Sequence, residues 1–493
     1  MAARGAPAAP AEGEAVCAAA GCGVQEPAGG WPAYHWPQQK GDLGRTGASP
    51  FAAPDISKGP AWTWADPHSD VIRATPLIDD RLNIYLTTVG GRLYKFSPDG
   101  TMLWNEAVPM PLPAVASLYE GKLFATSREG LILAYDMEQG RELWRVKVSS
   151  HTTGDTQSMF AHNGTVACGT HDDPSTPDGG NAYVVAVDAG GGGIKWRFQP
   201  DVPVYNFQGS TPGDGTIVFQ DRAGGLYRLR LSDGELLWKS GKLDSNSRQS
   251  FTTGAAVIYE GKVYVVSNTV GNVFQNIPGL LHAYKLSDGQ FLWEQTLPYA
   301  ANQAAALGKL AGSERASAVV GFGSNPGFPV LMQKYLSWGH WPSVAAHFVS
   351  LWAPWLFASK QPAGMAAYDA ETGQRRWHYE LPPYQKPATA GDSERVIRRF
   401  DDKEKHKTNV YNDAICLPDS CSQPVIGGDG TAYQGWQDGR VYAVRDANGD
   451  GSIDERTEVK TWDFGDGFQG SLGLAPGMLA VAPCGGGLHV FRG

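Results

Sequence analysis

The chain has 493 residues, of which 62 are Gly, 33 are Pro and 16 are Trp, while charged residues make up only 18%. Its formal net charge of −9 argues against a nucleic-acid partner, because binding to phosphates needs a clustered basic face. The many turn-forming and aromatic residues favour a fold of short strands and tight turns, which at this length often forms a single domain.

The N-terminal residues 1–30 are rich in Ala, Gly and Pro, a composition typical of a disordered segment. The letters "AAGC" end at Cys22 and faintly resemble a lipoprotein cleavage site, but Glu12 and Glu14 stand where an apolar core should be. We therefore expect no signal peptide in this segment. Pro342 and Pro354 interrupt the apolar stretch 330–359, so we also expect no transmembrane helix.

A motif that ends in Trp recurs six times along the chain. Every copy has a Gly four residues before its Trp, and three copies have an Asp eight residues before it. The copies are "YKFSPDGTMLW" ending at Trp104, "AYDMEQGRELW" at Trp144, "AVDAGGGGIKW" at Trp196, "RLRLSDGELLW" at Trp238, "AYKLSDGQFLW" at Trp293 and "AYDAETGQRRW" at Trp377. Alternating apolar residues, a polar turn with Gly and a bulky residue on the return strand predict a β-hairpin.

A second recurring piece, a turn followed by a strand, precedes these hairpins, as in residues 119–127 and 259–267. Each unit then holds about four strands, which is typical of a propeller blade rather than a solenoid coil. A seventh unit reaches Trp462, and an eighth, at 475–493, stops before its Trp hairpin. We expect the strand around Trp62 and Trp64 to complete the eighth blade and so remove an exposed sheet edge. The prediction is one all-β domain over 31–493, an eight-bladed β-propeller of four-stranded antiparallel blades closed by an N-terminal strand.

The sixth unit is longer than the others. Residues 355–369 align without a gap with residues 122–136, which places the additional length upstream, as an insertion over about 301–345. Loops on a propeller face are common binding sites. The insertion serves either as a binding segment or lid, or only for local packing. Its aromatic residues include Tyr335, Trp338 and Trp341.

The acidic segment 446–458, "DANGDGSIDERTE", begins like a calcium loop of the helix–loop–helix type. It falls where the hairpin turn of the seventh unit should be, and Thr457 stands where a bidentate Glu is expected, with Glu458 one place late. The segment is therefore either a structural calcium loop or a polar turn, without helices that would make it a sensor. The candidate calcium ligands are Asp446, Asn448, Asp450, the Ser452 carbonyl and Asp454.

Six cysteines do not make a disulfide scaffold in a chain of this length. Cys416 and Cys421, in "CLPDSC", either close a small loop as a disulfide or remain two unpaired thiols. The sequence offers no ligand set at the spacing of a zinc site.

The hairpin motif Ala-x-Asp-x-x-x-Gly-x-x-x-Trp resembles the repeat of the PQQ-like (pyrroloquinoline-quinone) β-propeller family over roughly residues 31–493. Members include quinoprotein alcohol dehydrogenases and the BamB-like propeller of bacterial outer-membrane assembly. The resemblance implies that the motif Trp docks between neighbouring blades. That structural role would fall on Trp104, Trp144, Trp196, Trp238, Trp293, Trp377 and Trp462.

The resemblance is compatible with two classes of function, because the same repeat serves enzymes and scaffolds. A quinoprotein dehydrogenase holds its cofactor against a ring of two adjacent cysteines, beside a calcium ion. No two cysteines are adjacent here, so we expect no bound PQQ and assign no catalytic or cofactor-binding residue. We expect a non-enzymatic scaffold, BamB-like in character, that binds protein partners through loops on the propeller face. The alternative is an oxidoreductase that uses PQQ and calcium. The resemblance also implies a periplasmic or other extracytoplasmic location.

Overall fold

Each repeat unit folds into an antiparallel sheet in the computed structural model of the chain. The structure describes residues 33–493 except 113, 155–156, 173–179, 242–248, 253–254, 270–276, 325–344, 346–348, 350–351, 357–359, 387, 396–414 and 417–419. The predicted disordered segment 1–30 and the aromatic residues Tyr335, Trp338 and Trp341 lie outside these residues.

The first four blades follow one another along the chain, each with its first strand innermost. Blade one contains β2 Leu77–Ile78, β3 Ile84–Thr87, β4 Arg92–Phe96 and β5 Met102–Ala107. Blade two contains β6 Ser117–Tyr119, β7 Lys122–Thr126, β8 Leu131–Asp136 and β9 Glu142–Lys147. Blade three contains β10 Phe160–His162, β11 Thr165–Thr170, β12 Tyr183–Asp188 and β13 Ile194–Phe198. Blade four contains β14 Thr216–Gln220, β15 Gly225–Arg230 and β16 Leu236–Gly241, with the bridge between Ser210 and Val218 in the innermost position.

The remaining blades repeat this order. Blade five contains β17 Gln249–Phe251, β18 Ala256–Tyr259, β19 Lys262–Thr269, β20 Gly279–Lys285 and β21 Phe291–Leu297, with β17 and β18 both paired to β19. Blade six contains β22 Ala306–Lys309, β23 Ala316–Gly323, β24 Ala363–Asp369 and β25 Arg375–Glu380. Blade seven contains β26 Val425–Ile426, β27 Ala432–Gly435, β28 Arg440–Val444 and β29 Val459–Asp463. Blade eight contains β30 Gly473–Ala475, β31 Met478–Val481 and β32 Gly487–Arg492, and β1 Trp62–Ala65 is its outer strand. The eight-bladed all-β propeller and its closure by an N-terminal strand are confirmed.

The hydrophobic core is divided among the contacts between neighbouring blades. Middle strands are buried on both faces, as in β11, whereas outer strands such as β9 alternate between half-buried and exposed residues. Successive core clusters join blades one and two, two and three, and so on to blades six and seven, and the largest cluster joins blades seven, eight and one. Because each sheet packs on two neighbours, the ring buries apolar surface continuously although no single blade encloses a core.

The predicted bounds of the insertion in blade six are wrong. The predicted insertion was 301–345. Strands β22 and β23 occupy residues 306–309 and 316–323, so the first part of that range belongs to the sheet of blade six. The additional residues lie between β23 and β24, at about 324–362. The gapless alignment misled because only its second part, "AGMAAYD", is a blade strand, whereas Pro354–Leu356 forms a 3-10 helix.

Candidate functional site

The motif tryptophans contact the turn of the next blade in the ring. Gly140, with φ +72°, lies so close to Trp104 that a Cβ atom built on it would be 2.7 Å from the indole. The same contact joins Trp144 to Gly192, Trp196 to Gly234, Trp238 to Gly289, Trp293 to Gly373 and Trp462 to Gly59. Trp62 of β1 makes it with Gly100, and is a seventh member of this set that the sequence motif missed. Trp62 lies on β1, whose partner strand β32 comes from the other end of the chain, so no Gly precedes Trp62 at the spacing of the motif.

Several of these indoles also form a hydrogen bond across the blade boundary. Trp196 Nε1 donates to the Leu231 carbonyl at 2.8 Å, Trp238 Nε1 to Leu286 at 3.0 Å and Trp104 Nε1 to Met137 at 3.1 Å. A hydrogen bond of this kind contributes about 1 kcal/mol. How much the tryptophans stabilise the ring stays a prediction.

Trp377 has a different neighbour, because blade seven has no simple turn at this position. The acidic segment takes that place: Ile453 and Val459 pack against the buried cluster that contains Trp377, and Gly451 lies close to the Arg376 carbonyl. The segment therefore forms part of the contact between blades six and seven.

Inside the acidic segment, the carboxylates accept hydrogen bonds from the backbone of the loop. Asp446 accepts from the N–H groups of Gly449 at 2.8 Å and Gly451 at 3.0 Å. Glu458, which is largely buried, accepts from Ala447 N at 2.8 Å and from Asp454 N at 3.0 Å. Glu458 was set aside in the sequence because it is one residue late, yet its side chain points into the loop.

The exposed side chains of the loop are also engaged locally. Asp450 accepts from Ser452 N at 2.7 Å and from Asn448 Nδ2 at 2.9 Å, and Asp454 accepts from Arg456 N at 2.9 Å. Among the described residues, no three acidic, His or Cys side chains are placed to share a metal ion. Calcium binding by this loop stays a prediction and would require Asn448 and Asp450 to turn inward.

The N-terminal residues 36–49 lie on the axis of the ring. They form backbone hydrogen bonds with the innermost part of six blades, and Arg45 adds blade three through the Met159 carbonyl. The backbone bonds are Trp36 N to Ile78 O, Leu118 N to Pro37 O, Thr211 N to Leu43 O, Ile258 N to Gly44 O, Leu307 N to Thr46 O and Ser49 N to Ile426 O, all between 2.7 and 2.9 Å. A segment of this length reaches seven blades only where their inner strands converge.

Two buried cations hold this axial segment in place. Arg45 is fully buried and donates to the carbonyls of Gly209 at 2.7 Å, Gln39 at 2.9 Å and Met159 at 3.1 Å. Lys40 donates to the Ala305 carbonyl. Burial lowers the pKa of Arg45 to about 9 and the pKa of Lys40 well below its usual value. Removal of both side chains from water disfavours their charge, so their carbonyl partners are essential to the segment.

A further polar contact crosses the axis. Gln423, before β26 of blade seven, donates through Nε2 to Oε1 of Gln208, before blade four, at 3.0 Å. Both side chains are buried. The axis of the ring is therefore occupied by the protein itself at this level as well as by residues 36–49.

The predicted loop-closing disulfide between Cys416 and Cys421 is wrong, and so is the alternative of two free thiols. Cys416 is bonded to Cys484, with their Cα atoms 5.5 Å apart, and the buried Cys421 is not part of this bond. Cys421 lies beside the Phe322 carbonyl of blade six, whereas Cys416 lies against blade eight. Sequence proximity misled because the chain between them enters blade seven.

A buried ion cluster adjoins this disulfide. Arg395 forms ion pairs with Asp392 and Asp466, and Asp392 Oδ1 accepts from Cys416 N at 2.8 Å. Burial raises the pKa of Asp392 to about 6, although Arg395 opposes this shift, and burial also raises the pKa of Asp466. Among the described residues, Arg395 thus lies between the buried Asp392 and the partly buried Asp466.

The cysteines do not fit the ring that a PQQ site of this family uses. That ring needs two adjacent cysteines, and Cys416 and Cys484 are 68 residues apart. The described residues also fill the axis, as the Gln208–Gln423 contact illustrates. We therefore derive no reaction through PQQ.

Comparison with known proteins defines the family. The family model described as outer membrane protein assembly factor BamB matches residues 89–271 and 162–393, together more than half of the chain. The chain therefore belongs to this family of PQQ-like propellers. BamB from Yersinia pestis is 25% identical over 210 residues, 41% of this chain and 49% of the relative. BamB from Nitrosomonas eutropha is 28% identical over 179 residues, 36% of this chain and 37% of the relative. The matches thus span at most about half the length of these relatives.

Solved structures share the fold at low sequence identity. BamB from Moraxella catarrhalis has a TM-score of 0.52 at 11% identity, covering 88% of this chain and 97% of that one. Quinohemoprotein alcohol dehydrogenase from Comamonas testosteroni has a TM-score of 0.59 at 12% identity, covering 93% and 80%. At this identity the likeness shows the fold alone, and both classes of function use it.

Proposed function

We propose that this protein is a non-enzymatic interaction scaffold that binds protein partners in the assembly of outer-membrane proteins. The observation that carries the proposal is the filled axis, where residues 36–49 hydrogen-bond with seven blades. Small-molecule sites are concave pockets, whereas here the chain occupies the axial part of the ring with its own residues. Its outer surface is then left for recognition.

The blade-six insertion offers the most exposed apolar side chains among the described residues. Trp352 is 84% exposed, Trp355 67% and Leu356 66%. Aromatic side chains on a surface loop are typical anchors of a protein interface, because each buries a large apolar area at small entropic cost. We assign the partner contact to this group of three residues, the aromatic anchor.

An extracytoplasmic location is part of the proposal. The Cys416–Cys484 disulfide is buried and joins residues far apart in the sequence, and structural disulfides of this kind persist in oxidising compartments. Membership of the BamB family supports the same compartment. Among the described residues, no helix is long and apolar enough to cross a membrane.

The test is co-purification from the native cell envelope. The tagged full-length protein should retain proteins of the outer-membrane assembly machinery, identified by mass spectrometry. The double variant Trp352→Ser/Trp355→Ser should lose at least about 90% of them, since loss of two interface anchors costs several kcal/mol. Phe291→Ser/Leu292→Ser is the matched control, because those residues are exposed on the outer strand of blade five.

Two results would contradict the proposal. One is that the tagged protein retains no protein of the outer-membrane assembly machinery. The other is alcohol-dependent dye reduction by the purified protein after addition of PQQ and calcium, which would establish an oxidoreductase instead.

A further inference from the structure

The ring closes at a single seam, where the outer strand of blade eight comes from the N-terminal part of the chain. Four residue pairs join β1 to β32, from Trp62 with Val490 to Ala65 with Gly487. The chain then continues through residues 66–76 to β2 of blade one. Opening the seam requires loss of this short ladder, separation of residues 66–76 from blade eight and exposure of part of the core cluster that joins blades eight and one.

Residues 415–416 lie between these two parts and contact both. Cys416 is covalently bonded to Cys484 in the turn between β31 and β32 of blade eight. Arg73 Nη2, from the segment that leads to blade one, donates to the Ile415 carbonyl at 2.8 Å. Val71 packs in the same buried cluster as the disulfide. Residues 415–416 therefore join blade eight to the segment that enters blade one.

The ion cluster holds residues 415–416 from the other side. Arg395 pairs with Asp466 in the connection between blades seven and eight and with Asp392, and Asp392 accepts from Cys416 N. The Cys484 backbone N–H in turn donates to the Gly467 carbonyl at 2.8 Å. The disulfide is thus the covalent centre of a buried network that joins blades seven, eight and one.

We propose that the Cys416–Cys484 bond is a redox-dependent clasp that keeps the seam of the propeller closed. A dithiol reductant cleaves it by thiol–disulfide exchange: the reductant gives two electrons and two protons, two cysteine thiols form, and the reductant becomes a disulfide. Only noncovalent contacts then hold the seam: the ladder of β1 and β32, the Arg73–Ile415 hydrogen bond and the core cluster that joins blades seven, eight and one.

Burial determines how the clasp responds. Cys416 and Cys484 are both fully buried, and Val71 and Val89 cover them. A thiolate has to reach a sulfur atom, so reduction follows transient opening of the seam. Reduction is therefore slow in the folded protein and, once complete, raises the frequency of opening.

The test is hydrogen–deuterium exchange on the full chain before and after dithiothreitol, with reduction verified by alkylation of Cys416 and Cys484. Exchange of the amides in residues 62–73 and 473–492 should rise at least about tenfold on reduction, since loss of the covalent bond makes opening of the seam less costly. The strands of blades three and four, far from the seam, should exchange as before.

Two variants separate the clasp from a general effect of reductant. Cys416→Ser/Cys484→Ser should exchange rapidly at the seam without reductant and not respond to it. Cys421→Ser, which replaces a buried cysteine outside the Cys416–Cys484 bond, should respond as the wild type does. Unchanged seam exchange in the verified reduced protein, or an equal increase in all blades, would overturn the proposal.

Discussion

Gly140 and Gly164 show what a single residue contributes to this ring. Both have left-handed backbones, with φ +72° and +65°, but a Cβ on Gly140 would lie 2.7 Å from Trp104 whereas nothing lies within 4 Å of one on Gly164. Gly140→Ala should lower the free energy of unfolding by about 2–4 kcal/mol, since it adds a clash to backbone strain. Gly164→Ala, the control, should cost about 1 kcal/mol. Urea unfolding measures both, and equal losses would show that the indole contact contributes nothing.

The spacing from Gly to Trp identified these residues because both members of each contact lie in a repeated hairpin. Trp62 was missed as a contact residue, since its hairpin is divided between the chain ends, and Glu458 because it is one place from the expected position. The cysteine pairing was wrong for a different reason. The pairing depends on how two distant segments of the chain meet, and the five-residue spacing of Cys416 and Cys421 contains no information about that.

At the scale of elements, the acidic loop of blade seven acts as a connector between blades. Its Ile453 packs beside Trp377, while Asp446 and Glu458 bind backbone N–H groups of the loop. The position of the loop at a hairpin tip was predicted from the number of residues between strand and Trp. Its contact with blade six became visible only in the structure, because the sequence does not show which blade a hairpin tip faces.

We predict that calcium binds this loop and raises the melting temperature by about 1–3 °C at millimolar concentration, because it neutralises the crowded carboxylates. Asp450→Ala should abolish the increase. Asp288→Ala is the matched control, since Asp288 accepts from Gln290 N in an ordinary hairpin turn at 3.0 Å. Differential scanning calorimetry with and without calcium measures the effect, and a wild-type curve that does not move would exclude it.

The blade-six insertion illustrates the limit of repeat alignment. Its presence was predicted from the length of the unit, but its position was wrong because a short Ala- and Gly-rich hairpin, β22 and β23, has few of the features that mark the other blades. When the strands of a repeat have few characteristic side chains, a chance similarity elsewhere in the chain can be aligned in their place. The backbone pairing of β23 with β24 decides where the insertion lies.

At the scale of the whole molecule, the axial segment 36–49 is bonded to seven blades, neighbours and non-neighbours alike. Arg45 links it to Gly209 of blade four and Met159 of blade three. Arg45→Met should lower the free energy of unfolding by about 2–4 kcal/mol, because these buried carbonyls lose their donors. It should also speed hydrogen exchange of the Ile258 and Leu307 amides, which are bonded to the same segment.

Arg315→Met is the control for this change, since the side chain of Arg315 is 76% exposed and its loss should cost less than about 0.5 kcal/mol. Equal free energies of unfolding for the two variants would show that the contacts of Arg45 with the blades do not stabilise the ring. If Arg45→Met unfolds faster than the wild type but has the same free energy of unfolding, the effect is only kinetic. This result would also contradict the prediction.

The sequence by itself determined the eight blades, their four-stranded sheets and the closure by an N-terminal strand, because these follow from short-range alternation and a repeated turn. Only the tertiary structure decided the Cys416–Cys484 pair, the axial position of residues 36–49 and the exposure of Trp352 and Trp355. These features depend on contacts between residues far apart in the chain. A repeat specifies each blade locally, whereas the axis and the seam exist only when all eight blades are in place.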